Sequence, residues 1–445
     1  MKNFIQEQHK VDCIEAIKTL ISYPSYLRED HQGKTPFGDD IQAVLEKTLA
    51  ICEKLGMNSH IDPKGYYGYA DYGEGEESLA ILCHLDVVPP GNLDSWDTNP
   101  FEAIEKNEAL YGRGSQDDKG PAMAALYAFK AVVDSGATFN KRVRFIFGTD
   151  EETLWRGLDR YNKLEEPSTM GFTPDAEFPL TYAEKGLLQV KLHGPGDKEL
   201  RINCGKSLNI VPDEAAYQGL LNITLENELK SLGYEYQLSD GQVIVKGKAA
   251  HSKDAPEGVN AITRLVTALS PSIKNETLAF ITEKLKDDAT GQTIFGKIKD
   301  DISGPLTVNL ATLSIDDKES TIGLDLRIPV TADKEEIVKK LTASAAEYQL
   351  TYEEYDYLAS LYVPKDSLLV TTLLDIYREK TGDKSDPLTT GGATFARTMK
   401  NCVAFGAVFP DSEVTFHMPN EKMTLRDIYN AMDIYAETVY RLACK

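Results

Sequence analysis

The sequence predicts an α/β protein with a mostly parallel sheet, helices on both of its faces and an inserted α+β segment. Three observations lead there. Strand-like and helical patterns alternate from Lys10 to Glu152, the order expected of a parallel sheet covered by helices. Polar residues collect at the carboxyl ends of two short apolar runs, where such folds place their ligands. The character of the chain then changes after "TYAEKG" and changes back near Leu358.

Each element follows from its local pattern. "CIEAIKTLIS" and "DIQAVLEKTLAICEKLG" space apolar residues as i, i+3, i+4, and the second stops at Gly56. "SLAILCHLDVV" reads as a buried strand halted by Pro89, Pro90 and Gly91. "GPAMAALYAFKAVVDSG" is a small-residue helix opened by Pro121 and closed by Gly136, and "VRFIFGTDEE" is a second apolar strand. From Leu187 to Leu358, strands ("LLQVKLHG", "GQVIVKGKAAHS", "STIGLDLRIPV") alternate with helices ("GVNAITRLVTALS", "KEEIVKKLTASAAEY"). A helix "SLLVTTLLDIYREKTG", a strand "CVAFGAVFP" and a closing helix "LRDIYNAMDIYAETVYRLA" follow. The layout expected is one discontinuous domain, 1–186 and 359–445, interrupted by a second, 187–358.

Composition narrows the function. With 445 residues, 42% of them apolar and 27% charged, the chain is expected to form two domains, or three, in a soluble protein. A formal charge of −22 argues against nucleic acid or an anionic membrane as partner. Neither a signal peptide nor a transmembrane run is expected. Six scattered cysteines (Cys13, Cys52, Cys83, Cys204, Cys402 and Cys444) with no CxxC pair read as reduced thiols, which suits the cytoplasm.

Seven histidines are few enough to weigh singly. His9, His31 and His60 sit in polar surroundings, and His193 ends a strand, which leaves His84, His251 and His417. His84 and Asp86 alternate in phase on one strand, so both face the same way. Alone, that pattern favours a core histidine beside a turn-forming aspartate. "YGRGSQDDKGP" sets Asp117, Asp118 and Lys119 among glycines; it is not a phosphate loop, since the GxxxxGK[ST] spacing is absent, but an acidic turn would read the same way. "GTDEE" lines up Asp150, Glu151 and Glu152, which repel one another unless a positive charge lies between them. A metal would resolve that conflict.

Together, His84-Leu-Asp86, the Gly-Arg-Gly-Ser-Gln-Asp117-Asp-Lys-Gly run and Asp-Glu151-Glu152 resemble the di-zinc family of ArgE/DapE-type deacylases, aminoacylases and carboxypeptidases. The likeness continues through "FTPDAEFP", "AHSKDAPEGVNA", "GLDLRIP", "GGATFAR" and "FHMPNE". Within the family the wording is most similar to the PepV-like dipeptidases.

The resemblance implies two zinc ions, with Asp117 bridging them, His84 and Asp175 on one, and Glu152 and His417 on the other. Two such ions would share and acidify a water. Manganese or cobalt can compete for such sites. Glu151 would be the general base, and Asp86 would accept a hydrogen bond from His84 and fix its tautomer. His251 would stabilise the oxyanion, with Asn209 in the same region. Arg327 would clamp the substrate carboxylate, assisted by the turn containing Gly392 and Thr394. The long insert implies a lid that completes the site within a monomer.

The activity implied is hydrolysis of unblocked dipeptides. The alternative is an N-acyl-amino-acid deacylase of the desuccinylase or aminoacylase type. A metal-binding protein without catalysis is disfavoured, because all five ligands and the base are present.

Overall fold

The computed structural model describes residues 2–28 and 35–445; His31 lies outside the described residues. The chain divides into two units, Met1–Tyr182 with Val363–Leu388 and Thr394–Lys445, and Ala183–Tyr362 with Thr389–Ala393. The chain thus crosses between units at four points.

In the first unit the helical stretches form α1 (Glu7–Ile21) and α2 (Asp39–Lys54). Gly56, at φ +91°, takes the left-handed conformation that ends α2. Two short strands, β1 (Asn58–Ile61) and β2 (Gly68–Tyr72), precede β3 (Ser78–His84), whose seven residues are all buried. The helix α3 (Lys119–Asp134) starts two residues before Pro121 and is buried nearly all round, because α1 and the C-terminal helix both pack on it. Then come β4 (Arg142–Gly148), α4 (Arg156–Leu164) and β5 (Met170–Thr173).

The second unit is built on β6 (Gly186–Pro195), α5 (Asn222–Leu232), α6 (Ala261–Leu269), β7 (Thr307–Ile315), β8 (Glu319–Ile328), α7 (Lys334–Ala346) and β9 (Thr351–Leu358). Its antiparallel sheet has the order Ile202–Cys204, β7, β8, β6, β9. Alternate residues of β6 (Leu188, Val190, Leu192) enter a core shared with Leu265 of α6 and Leu341 of α7. "GQVIVKGKAAHS" is two strands rather than one. Gln242–Lys246 joins a three-stranded sheet, and Ala250–His251 pairs with Ile210–Val211. The break falls where the Gly247 N–H donates to the Asp213 carbonyl and Lys248 pairs with Val259.

The chain returns to the first unit as α8 (Leu368–Thr381), β10 (Cys402–Ala404) and α9 (Leu425–Ala443). The strand expected in "CVAFGAVFP" is short, because Gly406 at φ +64° turns the chain. The sheet of this unit runs β1-β2-β4-β3-β5-β10, with Thr181–Tyr182 beyond β10. The strands β4, β3, β5 and β10 are parallel, while β1 and β2 add antiparallel. Since His84 lies opposite Gly148, the carboxyl ends of β3 and β4 are level, and "LDVV" and "TDEE" leave the sheet together. All six cysteines are free thiols, five of them buried. Among the described residues, no helix is long and apolar enough to cross a membrane.

Candidate metal centre

His84 ends β3 with its side chain 1% exposed. Its Nδ1 lies 2.9 Å from the Asp86 main-chain carbonyl. A carbonyl only accepts, so Nδ1 carries the proton, and in the neutral ring Nε2 keeps its lone pair for a cation. The partner expected was the Asp86 carboxylate, but its Oδ1 stands 3.6 Å away. That carboxylate instead accepts the N–H groups of Glu151 (3.1 Å) and Glu152 (3.0 Å). Strand phase put Asp86 on the correct face; the turn after β4 then claimed its side chain.

Asp117 lies between two imidazoles. Its Oδ1 is 2.9 Å from His84 Nε2, and its Oδ2 is 3.0 Å from His417 Nε2. Asp175, just past β5, brings Oδ2 to 3.6 Å from His84 Nε2, and Glu152 Oε1 is 3.1 Å from His417 Nε2. The side chains therefore gather as two groups, His84–Asp117–Asp175 and Asp117–Glu152–His417, each with its donor atoms within 4.8 Å of one another.

These residues fit a pair of metal ions. His84 Nε2 and Asp117 Oδ1 are buried, 2.9 Å apart, and neither has a hydrogen-bond partner. Imidazole nitrogen and carboxylate oxygen are ordinary ligands for zinc and its neighbours. Charge points the same way. Burial and adjacent carboxylates push Glu151 well above the usual range, raise Asp175, and lift Glu152 to about 7. Against burial, Asp117 and Glu152 lift His417 to about 11, and Asp117, Asp175 and Asp86 lift His84. The imidazolium protons stand in for positive charge that the acidic cluster requires.

Several neighbouring polar groups have partners outside the cluster. Trp155, left-handed at φ +56°, donates its indole N–H to the Glu151 carbonyl at 2.6 Å. Asp150 accepts the N–H groups of Arg156 (2.8 Å) and Gly157 (2.9 Å) at the start of α4. Lys119 faces away from the acidic turn and donates to the Leu20 (3.0 Å) and Tyr23 (2.9 Å) carbonyls at the end of α1. His9 contacts Asp134 and His60 stacks on Tyr69, both away from the cluster.

In the second unit, His251 Nδ1 accepts the Lys253 N–H at 3.1 Å, so the neutral ring carries its proton on Nε2 as a donor. Burial, with Arg327 and Lys253, lowers its pKa to about 4. Arg327, 2% exposed, is held by Asp325 through Nε (2.6 Å) and Nη2 (3.0 Å), and its Nη1 donates to the Gly391 carbonyl at 2.9 Å. Asn209 is exposed; its carbonyl accepts the Ser252 N–H at 2.8 Å. The Gly392 N–H donates to the Thr390 hydroxyl at 3.0 Å. In the first unit, Thr394 caps the turn Phe395–Thr398.

The profile of peptidase family M20/M25/M40 matches residues 80–441. The chain belongs to this family. It is 35% identical over 459 aligned positions to "Putative dipeptidase YtjP" of Bacillus subtilis (strain 168), covering 98% of each chain. A protein of Staphylococcus haemolyticus with a matching description is 33% identical, again over 98% of both chains. Among solved structures, human carnosine dipeptidase 1 shares the fold at TM-score 0.62 and 13% identity, covering 97% of this chain and 96% of that one. The Saccharomyces cerevisiae di-peptidase Dug1p does so at TM-score 0.61 and 16% identity, covering 97% and 95%.

Within this M20/M25/M40 peptidase several supporting residues were not singled out from sequence: Gln116, Trp155, Asp325 and Glu421. Asp325 left a readable trace, since in "GLDLRIP" it precedes Arg327 by two and shares its strand face. Glu421 closes the "FHMPNE" stretch but carried no assigned role. Gln116 and Trp155 left no signal, because loop conformation alone sets their partners.

Proposed function

We propose that this peptidase is a dipeptidase acting on unblocked dipeptides, with two zinc ions held by His84, Asp117 and Asp175 and by Asp117, Glu152 and His417. The observation that carries the reading is Asp117, whose two oxygens meet two different imidazoles at 2.9 and 3.0 Å. Bound there, the ions would supply Lewis acidity to the scissile carbonyl and let a water ionise near neutral pH.

The chain's own residues divide the remaining work. Glu151 takes the proton of the attacking water on its carboxylate and passes it to the departing amide nitrogen. Asp86 and Trp155 support this by fixing the Glu151 main chain at its N–H and at its carbonyl. His251, neutral with its proton on Nε2, donates to the developing oxyanion. Asn209 lies in the same region as His251, and Arg327, oriented by Asp325, pairs with the substrate carboxylate, assisted by the turn through Gly392 and Thr394. The descriptions of the relatives as dipeptidases support the substrate class. The long second unit supports a monomer, and six free thiols suit a reducing cytoplasm.

One assay series tests the substrate. Zinc-loaded protein is incubated with free dipeptides, tripeptides, and N-acetyl and N-succinyl amino acids. Turnover of free dipeptides is expected; release of amino acids from the acylated compounds alone would establish the deacylase instead. Light scattering after gel filtration tests the monomer.

A further inference from the structure

Asp117 and His417 reach the centre from segments far apart in the chain, and two buried side chains lock those segments together. Gln116, 5% exposed, accepts on Oε1 the N–H groups of Thr415 (2.7 Å) and Phe416 (2.9 Å) and the Thr415 hydroxyl (3.2 Å). Its Nε2 donates to the Glu413 carbonyl at 3.0 Å. In return Glu421, 0% exposed, accepts on Oε1 the N–H groups of Gly114 (3.0 Å), Gln116 (2.9 Å) and Asp117 (3.2 Å). Its Oε2 accepts from Arg113 Nη1 at 2.6 Å, and the same nitrogen donates to the Met418 carbonyl at 3.3 Å. Each segment thus sends one side chain to grip the backbone of the other.

The chemistry of the grip is specific. The Gln116 end must offer an acceptor to two N–H groups and a donor to a carbonyl, which an amide does and a carboxylate does not. His417 needs such support. Its φ is +62° and that of Asn420 is +59°, conformations uncommon outside glycine. Its side chain is also 50% exposed, so little packing holds it, whereas His84 is fixed by β3 and the Asp86 carbonyl.

We infer that Gln116 and Glu421 are positioning residues, a reciprocal clasp that sets where His417 meets Asp117. Cation binding by Asp117, Glu152 and His417 then depends on Gln116, while binding by His84, Asp117 and Asp175 does not. Glu421, which holds the Asp117 loop itself, supports both. This rests on the two-ion reading above.

The test uses the full chain, stripped of metal and titrated with Co²⁺ by visible absorption and calorimetry. The unmodified protein should bind two ions. In Gln116→Ala one binding event should keep its affinity within about threefold and the other should weaken about 10–100-fold, the usual range for groups that orient a ligand. Amide exchange at Thr415 and Phe416 should also quicken in the metal-free variant. Glu421→Ala should weaken both events, and Glu421→Gln, which keeps Oε1, should recover most of the loss. If the alanine variants unfold, Gln116→Glu serves, because it keeps the acceptor and loses the donor; its second event should fall between the unmodified protein and a lost site. Two ions in the unmodified protein, with both events unchanged or equally weakened in the Gln116 variants, overturn the clasp alone. Fewer than two overturn the two-ion reading, and the selectivity with it.

Discussion

His84 and His417 in the first unit and His251 in the second sit among opposite charges. In the first, Asp86, Asp117, Asp118, Glu151, Glu152 and Asp175 crowd the ends of parallel strands, and His84 and His417 are pushed upward. In the second, burial together with Arg327 and Lys253 outweighs the opposing Asp254 and pushes His251 down to about 4. One imidazole environment calls for a cation, and the other keeps its ring neutral with its proton on Nε2. The dipeptidase proposed above would use both. The same side chain therefore does different work according to which charges the fold places beside it.

The comparison can be broken in several ways. The largest effect is expected at Glu151, in the acidic set yet not among the proposed ligands. Glu151→Ala should lower kcat about 10²–10⁴-fold while bound metal, measured by elemental analysis, is retained. Loss of metal in parallel would make Glu151 a ligand instead.

Next come the two acidic-side histidines. His84→Ala removes a buried ring and frees its partners, so it should cost about 2–4 kcal/mol in urea unfolding of the metal-free protein. His417→Ala, at a half-exposed position, should cost less than His84→Ala. Equal costs would erase the contrast between a strand-held and a loop-held ligand.

On the cationic side, Arg327→Met should raise KM for dipeptides about 10–100-fold and change kcat less, as expected when a charge-assisted contact is lost. An unchanged KM would remove Arg327 from carboxylate recognition.

The smallest effect is a pH profile. Between the ordinary imidazole value of 6.5 and the folded value of about 4, the unfolded chain binds a proton that folded His251 refuses. The stability tied to this ring is thus full above pH 6.5 and is lost as pH falls toward 4. His251→Gln should flatten that part of the urea-midpoint profile, and NMR titration of the ring should give a value below 5. A value near 6.5 would mean that the ring is neither buried nor flanked by positive charge.

Much of this was legible in the sequence, for a physical reason. His84 ends an apolar run and Glu152 follows one, both runs form parallel strands, and the sheet aligns strand ends whatever the loops do. Asp117, Asp175 and His417 were legible through the resemblance of their motifs. What escaped depends on loop conformation. Strand phase showed which way Asp86 faces but not that its carbonyl, rather than its carboxylate, meets His84. Trp155 acts through a left-handed turn, and Gln116 finds Thr415 only because two distant loops meet. The bond from the Gly392 N–H to the Thr390 hydroxyl likewise depends on the conformation of its turn.

The five residues Thr389–Ala393 have a consequence for any attempt to move parts between relatives. They belong to the second unit but are encoded within the stretch that otherwise returns to the first. A cassette cut at residues 183 and 362 would leave the Arg327 guanidinium without the Gly391 carbonyl that holds one of its nitrogens. Recombination at the obvious borders would then yield a chimera whose Arg327 comes from one parent and the carbonyl that braces it from the other. The two stretches must be inherited as a pair.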